Sequence, residues 1–389
     1  MKVVIIGGGA VGSSTAYHLA RDPAFRGEIT VIERDPTYRI ASSSLSASSI
    51  RQQFSTPVCI RMSQYGRQFL EQGAELLAVD GDKPALGYRQ RGYLFLASAA
   101  GADVLRENHV VQTAEGADIS LLTPADIAKR FPWMSTEGLA LGAWGNSGEG
   151  WFDGPALLAA FRRKARSLGV TYVAQDASGF VLRDGRVAAV ILADGSEVAC
   201  DVAVNAGGPW SARVAGFAGI ELPIRARKRM IYVFQCRAPI EGSGLVIDPE
   251  GIFFRPEGAG FICGRSPGEG EPDPDEPPLE VEEAMFLERV WPVLARRVPA
   301  FAEIRRSGEW AGYYEYNTFD QNGVVGAHPA CTNLIHAAGF SGHGIQHSPA
   351  TGRGVAELIA HGGFVSLDLS ALGFERIIAN RPLVEKNIV

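Results

Sequence analysis

The sequence is poor in cysteine, nearly balanced in charge and without a long apolar run. Its five cysteines, Cys59, Cys200, Cys236, Cys263 and Cys331, are odd in number and never form a CxxC pair. That distribution suits buried or free thiols in a reducing compartment and not a disulfide framework. No two stand at zinc-ligand spacing and no histidine-rich tract accompanies them, so no metal is expected. The 37 basic and 43 acidic residues leave a net charge of -6. A nucleic-acid or anionic-membrane partner would need a basic footprint, and neither is expected. The local exception is Arg225-Ala226-Arg227-Lys228-Arg229. On a strand these side chains alternate, one face turned to solvent, with room for one member to enter a cavity. No stretch reaches the ~18 apolar residues of a membrane span. A strand begins at Val3, which leaves no space for a targeting peptide, so the expected location is the cytoplasm.

What is present is glycine, 46 residues of it, and a 46% hydrophobic content able to fill two or three domain cores. The chain opens with a strand at 3–6, a turn at 7–12, a helix at 13–21 and a strand at 29–33, a βαβ unit. Its turn, Gly7-Gly8-Gly9-Ala10-Val11-Gly12, fits GxGxxG, and Glu33 follows 21 residues later at the end of the second strand. Gly7 permits the tight turn, Gly9 lets backbone approach a pyrophosphate, and Gly12 lets helix and strand pack closely. The helix N-terminus, with Ala10 and Val11, offers N–H groups and a positive dipole end to phosphates. Glu33 is suited to the ribose hydroxyls of an adenosine. Arg34 beside it would suit a 2′-phosphate, but the acid at Glu33 repels one.

This Rossmann geometry serves NAD and FAD alike, and two later segments favour FAD. Asn205-Ala206-Gly207-Gly208-Pro209-Trp210 closes another strand with small residues, as where backbone must approach a ligand. Ala338-Gly339-Phe340-Ser341-Gly342-His343-Gly344-Ile345 joins a strand to the last helix, its N–H groups placed to face a flavin edge. A ligand reached from both ends of the chain is long, as FAD is. Serines crowd 42–49, a loop whose Ser43, Ser44 and Ser46 are expected at the cofactor. Further helices are expected at 57–77, 124–130, 157–168, 279–298 and 348–361. Hairpin turns are expected at Asp184-Gly185 and Asp194-Gly195.

Taken together, these segments resemble the glycine/D-amino-acid oxidase family, which includes sarcosine oxidase and dimethylglycine dehydrogenase. Trp310-Ala311-Gly312-Tyr313-Tyr314-Glu315-Tyr316-Asn317 and Gly264-Arg265-Ser266-Pro267 are similar to a mitochondrial branch linked to complex I assembly. The resemblance implies a mixed α/β fold: a Rossmann-type FAD-binding domain (1–85, 143–222 and 320–389) interleaved with a substrate domain on a large, mostly antiparallel sheet (86–142 and 223–319). It also implies hydride transfer from a carbon beside nitrogen to flavin N5, leaving an imine that water hydrolyses.

Within that resemblance Arg51 matches the carboxylate-binding arginine of sarcosine oxidase; read as a residue alone, it pairs a structural acid equally well. Gln346 falls where a second clamp, a lysine, stands. Tyr314 occupies the slot of a substrate-binding arginine, and His343 is read as a flavin-facing donor and not a proton shuttle, with His336 and His347 structural. Gly312 replaces the cysteine that attaches FAD in covalent members, so the FAD is expected to be non-covalent. Ile262 replaces an oxygen-activating lysine, which points to a dehydrogenase passing electrons to a quinone, an electron-transfer protein or O₂. The expected substrate is a small carboxylated amine. The alternatives are a 2-hydroxy-acid dehydrogenase of the same fold and a flavin-containing assembly protein with little catalysis.

Overall fold

A computed structural model describes residues 1–268 and 270–386 of the chain. Two large sheets organise it. The first has six strands in the order Val324–His328, Cys331–Ala338, Val202–Asn205, Lys2–Ile6, Glu28–Glu33 and Thr171–Ala174. Lys2–Ile6 pairs in parallel with both its neighbours, and Val202–Asn205 in parallel with Cys331–Ala338. A parallel sheet is covered on both faces, which is why Val3, Val4, Ile5 and Ile6 are all buried where an alternating pattern would expose half of them. Helices Ala10–Arg21 and Gly344–His361 cross at close range on this sheet. A Cβ at Gly352 would lie 2.2 Å from Ser14 Oγ, so glycine sets that approach. The first and last major helices are thereby packed side by side.

The second sheet has eight strands in the order Ile304–Asn317, Ile224–Cys236, Gly260–Arg265, Ile252–Glu257, Leu245–Ile247, Tyr93–Ala97, Leu141–Gly145 and Ile119–Leu122. It is antiparallel except where Leu245–Ile247 meets Tyr93–Ala97. The mixed α/β architecture expected from the sequence is therefore the one the chain adopts. The strands Ile224–Cys236 and Ile304–Asn317 pair along almost their whole length, setting Arg227 opposite Tyr314 and Arg229 opposite Gly312. At the hairpin turn, Asp184 and Gly185 both take positive φ, 50° and 72°, as a two-residue turn between twisted strands requires.

Four expectations need correction. The first helix starts at Ala10, not 13, so that Gly12 lies within it. The stretch 279–298 is not one regular helix: it begins at Glu283, passes through a wide π-helical turn at Phe286–Val290 and resumes at Trp291–Arg297. Pro292 has no N–H for the preceding turn, and the widened turn absorbs that loss. The last helix starts at Gly344, not 348, despite Pro349 within it. Pro349 deprives the Ile345 carbonyl of its helical donor, and the Ser348 hydroxyl supplies one at 2.8 Å. The serine stretch also contains a short helix, Ser42–Leu45.

Candidate active site

The glycine turn shows which of its glycines serve packing and which face open space. Gly7 has φ 97°, and a Cβ there would meet Ala206 O at 2.3 Å. A Cβ on Gly12 would meet Gly7 O at 1.9 Å. Gly9 differs, because its Cβ would touch only Ser43 Oγ, at 3.5 Å, and its backbone is extended with φ -62°. Protein packing does not require glycine at position 9; a ligand approaching the backbone does. Glu33 accepts N–H bonds from Gly8 and Asp35, both at 2.8 Å, and burial raises its carboxyl above the usual range. Ser43 Oγ accepts the Ala10 N–H at 3.1 Å and so folds the serine loop over the helix N-terminus. The Arg34 guanidinium lies 3.5 Å from the centre of the Trp210 ring.

From this cradle a single cavity extends to Arg51. Gly7, Gly9, Ala10, Val11, Glu33 and Arg34 line it on the Rossmann side, with Ser43 and Ser46 of the serine loop. Ala206, Gly207, Trp210 and Gly312 also line it, as do Gly342, Gly344 and Ile345 of the glycine-rich turn. Arg51, Tyr314, His343 and Gln346 share the same cavity. Gly12, Ser44 and Gly339 lie outside its lining. Gly12 packs on Gly7, the Gly339 N–H donates to Glu315 at 3.0 Å, and Ser44 lines a second cavity with Trp151, Arg255 and Ile262.

The residues present fit FAD. The cavity joins the phosphate cradle at one end of the sequence to the turn at the other, and the buried His343 Nε2 has no hydrogen-bond partner among the described residues. Gly312 would meet Leu45 Cβ at 2.8 Å through any Cβ, so no attaching side chain fits there. Mild acid or heat denaturation is accordingly expected to release intact FAD into the supernatant. Yellow colour retained by the precipitated polypeptide would contradict this.

Arg51 in this cavity is 4% exposed. Its backbone N–H donates to Gln346 Oε1 at 2.9 Å, and its guanidinium donates to the Gln53 carbonyl while lying 4.0 Å from the Phe54 ring centre and 5.2 Å from that of Phe95. The segment that carries it is anchored by Glu149, which sequence reasoning missed. This buried carboxyl accepts the N–H groups of Gln52 and Gln53 and the Gln53 side-chain amide. Burial pushes it up to about 7. A folded pKa above the unfolded value means a contribution present below about 4.5 and lost as pH rises through about 7. Glu149→Gln is therefore expected to gain in thermal midpoint relative to wild type between pH 5 and pH 8. A difference independent of pH would refute that assignment.

Tyr314 reaches the glycine-rich turn: a Cβ on Gly342, where φ is 92°, would fall 2.1 Å from its hydroxyl oxygen. Burial pushes this phenol up to about 12 against the pull of Arg229 and Arg51. His343 is held well below the usual histidine range by burial, then by His347 and Arg51. It is a neutral imidazole at ordinary pH, consistent with a donor and not with a proton shuttle. His347 meets Ser63 Oγ at 2.9 Å, and His336 meets the Asn205 amide at 3.2 Å. Cys59, His343 and His347 bring their ligand atoms within 4.8 Å of one another; the thiol donates to Asn322. The i, i+4 spacing of the two histidines was the one sign of this cluster in the sequence.

A further cavity residue escaped the sequence reading, and one member of the basic run takes the place in the cavity left open for it. Glu315 holds the Gly339 N–H, and burial pushes its carboxyl up to about 7. An acid inside the aromatic run 313–316 was the available signal. Arg229, one of the basic run, enters the cavity and pairs with Asp273.

Comparison with known proteins agrees with this geometry. Residues 2–358 match the DAO family model, described as FAD dependent oxidoreductase. The chain is 46% identical to FAD-dependent oxidoreductase domain-containing protein 1 of Xenopus laevis, covering all of this chain and 84% of that one. It is 26% identical to a glycine oxidase of Geobacillus kaustophilus, over 92% of each chain. L-proline dehydrogenase from P. horikoshii superposes with a TM-score of 0.86 at 26% identity, over 98% of both chains. No helix among the described residues is long and apolar enough to cross a membrane. A phosphate cradle at the first turn, a cavity closed by the last, and a family match spanning both lead to one conclusion: the chain belongs to the DAO family of FAD-dependent oxidoreductases.

Proposed function

We propose that the chain is a dehydrogenase that oxidises a carbon–nitrogen bond in a small carboxylated amine or amino acid. The observation that carries this is Arg51, buried in the wall of the cofactor cavity and sharing that cavity with Tyr314, His343 and Gln346. Bound FAD supplies a two-electron acceptor, and Gly9, Glu33, Ser43 and the 339–345 turn are the residues that would hold it. The protein's own share is orientation. Arg51 presents a charged fork to a carboxylate, with Phe54 and Phe95 beside it to exclude water and strengthen the pair. His343 is neutral and so donates or accepts at Nε2 without adding charge. The names of the glycine oxidase and the L-proline dehydrogenase among its relatives agree with an amino-acid substrate. We assign the FAD-binding domain to segments 1–85, 143–222 and 320–389, which also carry Arg51, His343 and Gln346, and the substrate-binding domain to 86–142 and 223–319, which carries Tyr314.

The test is an anaerobic screen of amines, amino acids and 2-hydroxy acids, read as bleaching of the bound flavin's absorbance. Bleaching by secondary or primary amino acids supports the reading; bleaching by 2-hydroxy acids alone replaces it, and bleaching by none leaves an assembly protein. For the acceptor, Ile262, which the resemblance sets in the place of an oxygen-activating lysine, lines the second cavity and not the cofactor cavity. Among the described residues no lysine lines the cofactor cavity, and its Arg229 and Arg265 are each paired with a carboxylate. Electron transfer to O₂ creates a negative charge that a cation stabilises. The dithionite-reduced protein is therefore expected to reoxidise slowly in aerated buffer and quickly with a quinone. Stopped-flow traces with air as fast as those with quinone would make it an oxidase.

A further inference from the structure

The cavity holds a second arginine that the carboxylate reading does not use. Arg229 lies on the strand beside Tyr314, its guanidinium 4.8 Å from the centre of that ring. Its side chain is 15% exposed, and two of its nitrogens bind the carboxylate of Asp273 at 2.8 and 3.0 Å. Its buried Nε has no partner among the described residues. Asp273 belongs to a proline- and acid-rich segment without regular structure that lies across the strand Ile224–Cys236. That segment is pinned independently of Arg229: Glu271 pairs with Arg265, Asp275 with Arg227, and the Glu276 N–H donates to Ala226 O at 2.8 Å. Release of Asp273 would therefore leave the segment in place.

We infer that Arg229 is a second anion-recognition residue, that Asp273 occupies it as a stand-in carboxylate, and that the site takes a substrate with two anionic groups, one at Arg51 and one at Arg229. This rests on the reading of Arg51 as a carboxylate clamp. Three features carry it. A guanidinium pairs bidentately with any planar carboxylate, so an incoming one replaces Asp273 without a change of geometry. Asp273 is 25% exposed and so has water to move into, whereas Arg229 faces the cavity. Tyr314 stands next to Arg229 and touches the turn that carries His343, which puts the second anion beside the same chamber as the first.

The experiment uses flavin-loaded protein and unreactive probes: a series of straight-chain dicarboxylates from propanedioate to hexanedioate, each against the monocarboxylate lacking one carboxyl. Binding is read by calorimetry and by perturbation of the flavin spectrum. At least one dicarboxylate is expected to bind about tenfold or more tighter than its monocarboxylate. Asp273→Asn is expected to tighten that dicarboxylate about threefold while leaving the monocarboxylate unchanged, because the competing charge is gone. Arg229→Gln is expected to bring the ratio to one. Equal binding of mono- and dicarboxylates throughout, or no gain in Asp273→Asn, overturns the second site and leaves Arg51 standing. Failure of every carboxylate to bind overturns both.

Discussion

Gly9→Val is expected to emerge from purification folded and colourless. The extended backbone at Gly9 is one that valine adopts readily, and its Cβ would touch only Ser43 Oγ at 3.5 Å. The fold therefore tolerates the side chain, while the ligand does not, because the added methyl groups stand where the pyrophosphate meets the backbone. FAD affinity is expected to fall about 100-fold or more, roughly 3 kcal/mol, as overpacking at a close contact. Circular dichroism and bound-flavin absorbance together check it. Gly12→Val is the contrast: its Cβ would clash with Gly7 O at 1.9 Å, so stability and colour are lost together. Full flavin occupancy in a folded Gly9→Val protein would sink the assignment of the cradle.

Arg51→Leu is expected to keep its flavin and lose its substrate. Arg51 lines the same cavity as the phosphate cradle but is held by Gln346, Gln53 and Phe54, so cofactor retention is expected to stay near wild type. Loss of a buried charge-assisted pair is expected to lower kcat/KM by about 2–4 kcal/mol, on the order of 30- to 1000-fold, mostly through KM. Arg51→Lys should fall between, since it restores charge without the planar fork. The measurement is steady-state kinetics with whichever amine the anaerobic screen identifies. An unchanged kcat/KM in Arg51→Leu would return this arginine to a packing role over Phe54 and Phe95.

The parts of the site that were readable from sequence are those whose chemistry is local. Gly7, Gly9 and Gly12 carry their meaning in their mutual spacing and in the strand and helix that flank them. The same holds for the 339–343 turn, which lies between a strand and a helix in the order a ligand-facing turn needs. Glu149 and Arg229 could not be read in this way. Glu149 acts on Gln53, 96 residues earlier in the chain, and nothing near it in sequence says so. Arg229 was one of three arginines on the same face of a strand, and only the folded chain, in which it lines the cavity and Arg225 and Arg227 do not, separates it from its neighbours. The sequence pattern likewise read 279–298 as one regular helix, because helical periodicity survives a π-turn that Pro292 makes necessary.

The side-by-side packing of the first and last major helices has a consequence for how the protein is made. Gly7 and Gly344 are more than 330 residues apart, yet both line one cavity. At ribosomal speeds of about 5–20 residues per second, roughly 15–70 s pass between the synthesis of the two. Throughout that interval the strand Lys2–Ile6 can pair with Glu28–Glu33 and then with Val202–Asn205, but the cavity lacks a wall. Capture of the flavin is thus an event of the finished chain, and vitamin supply acts on a nearly folded protein in place of a nascent one. Ribosome-bound chains stalled before Cys331 should carry no flavin, whereas released full-length apoprotein should take it up at once.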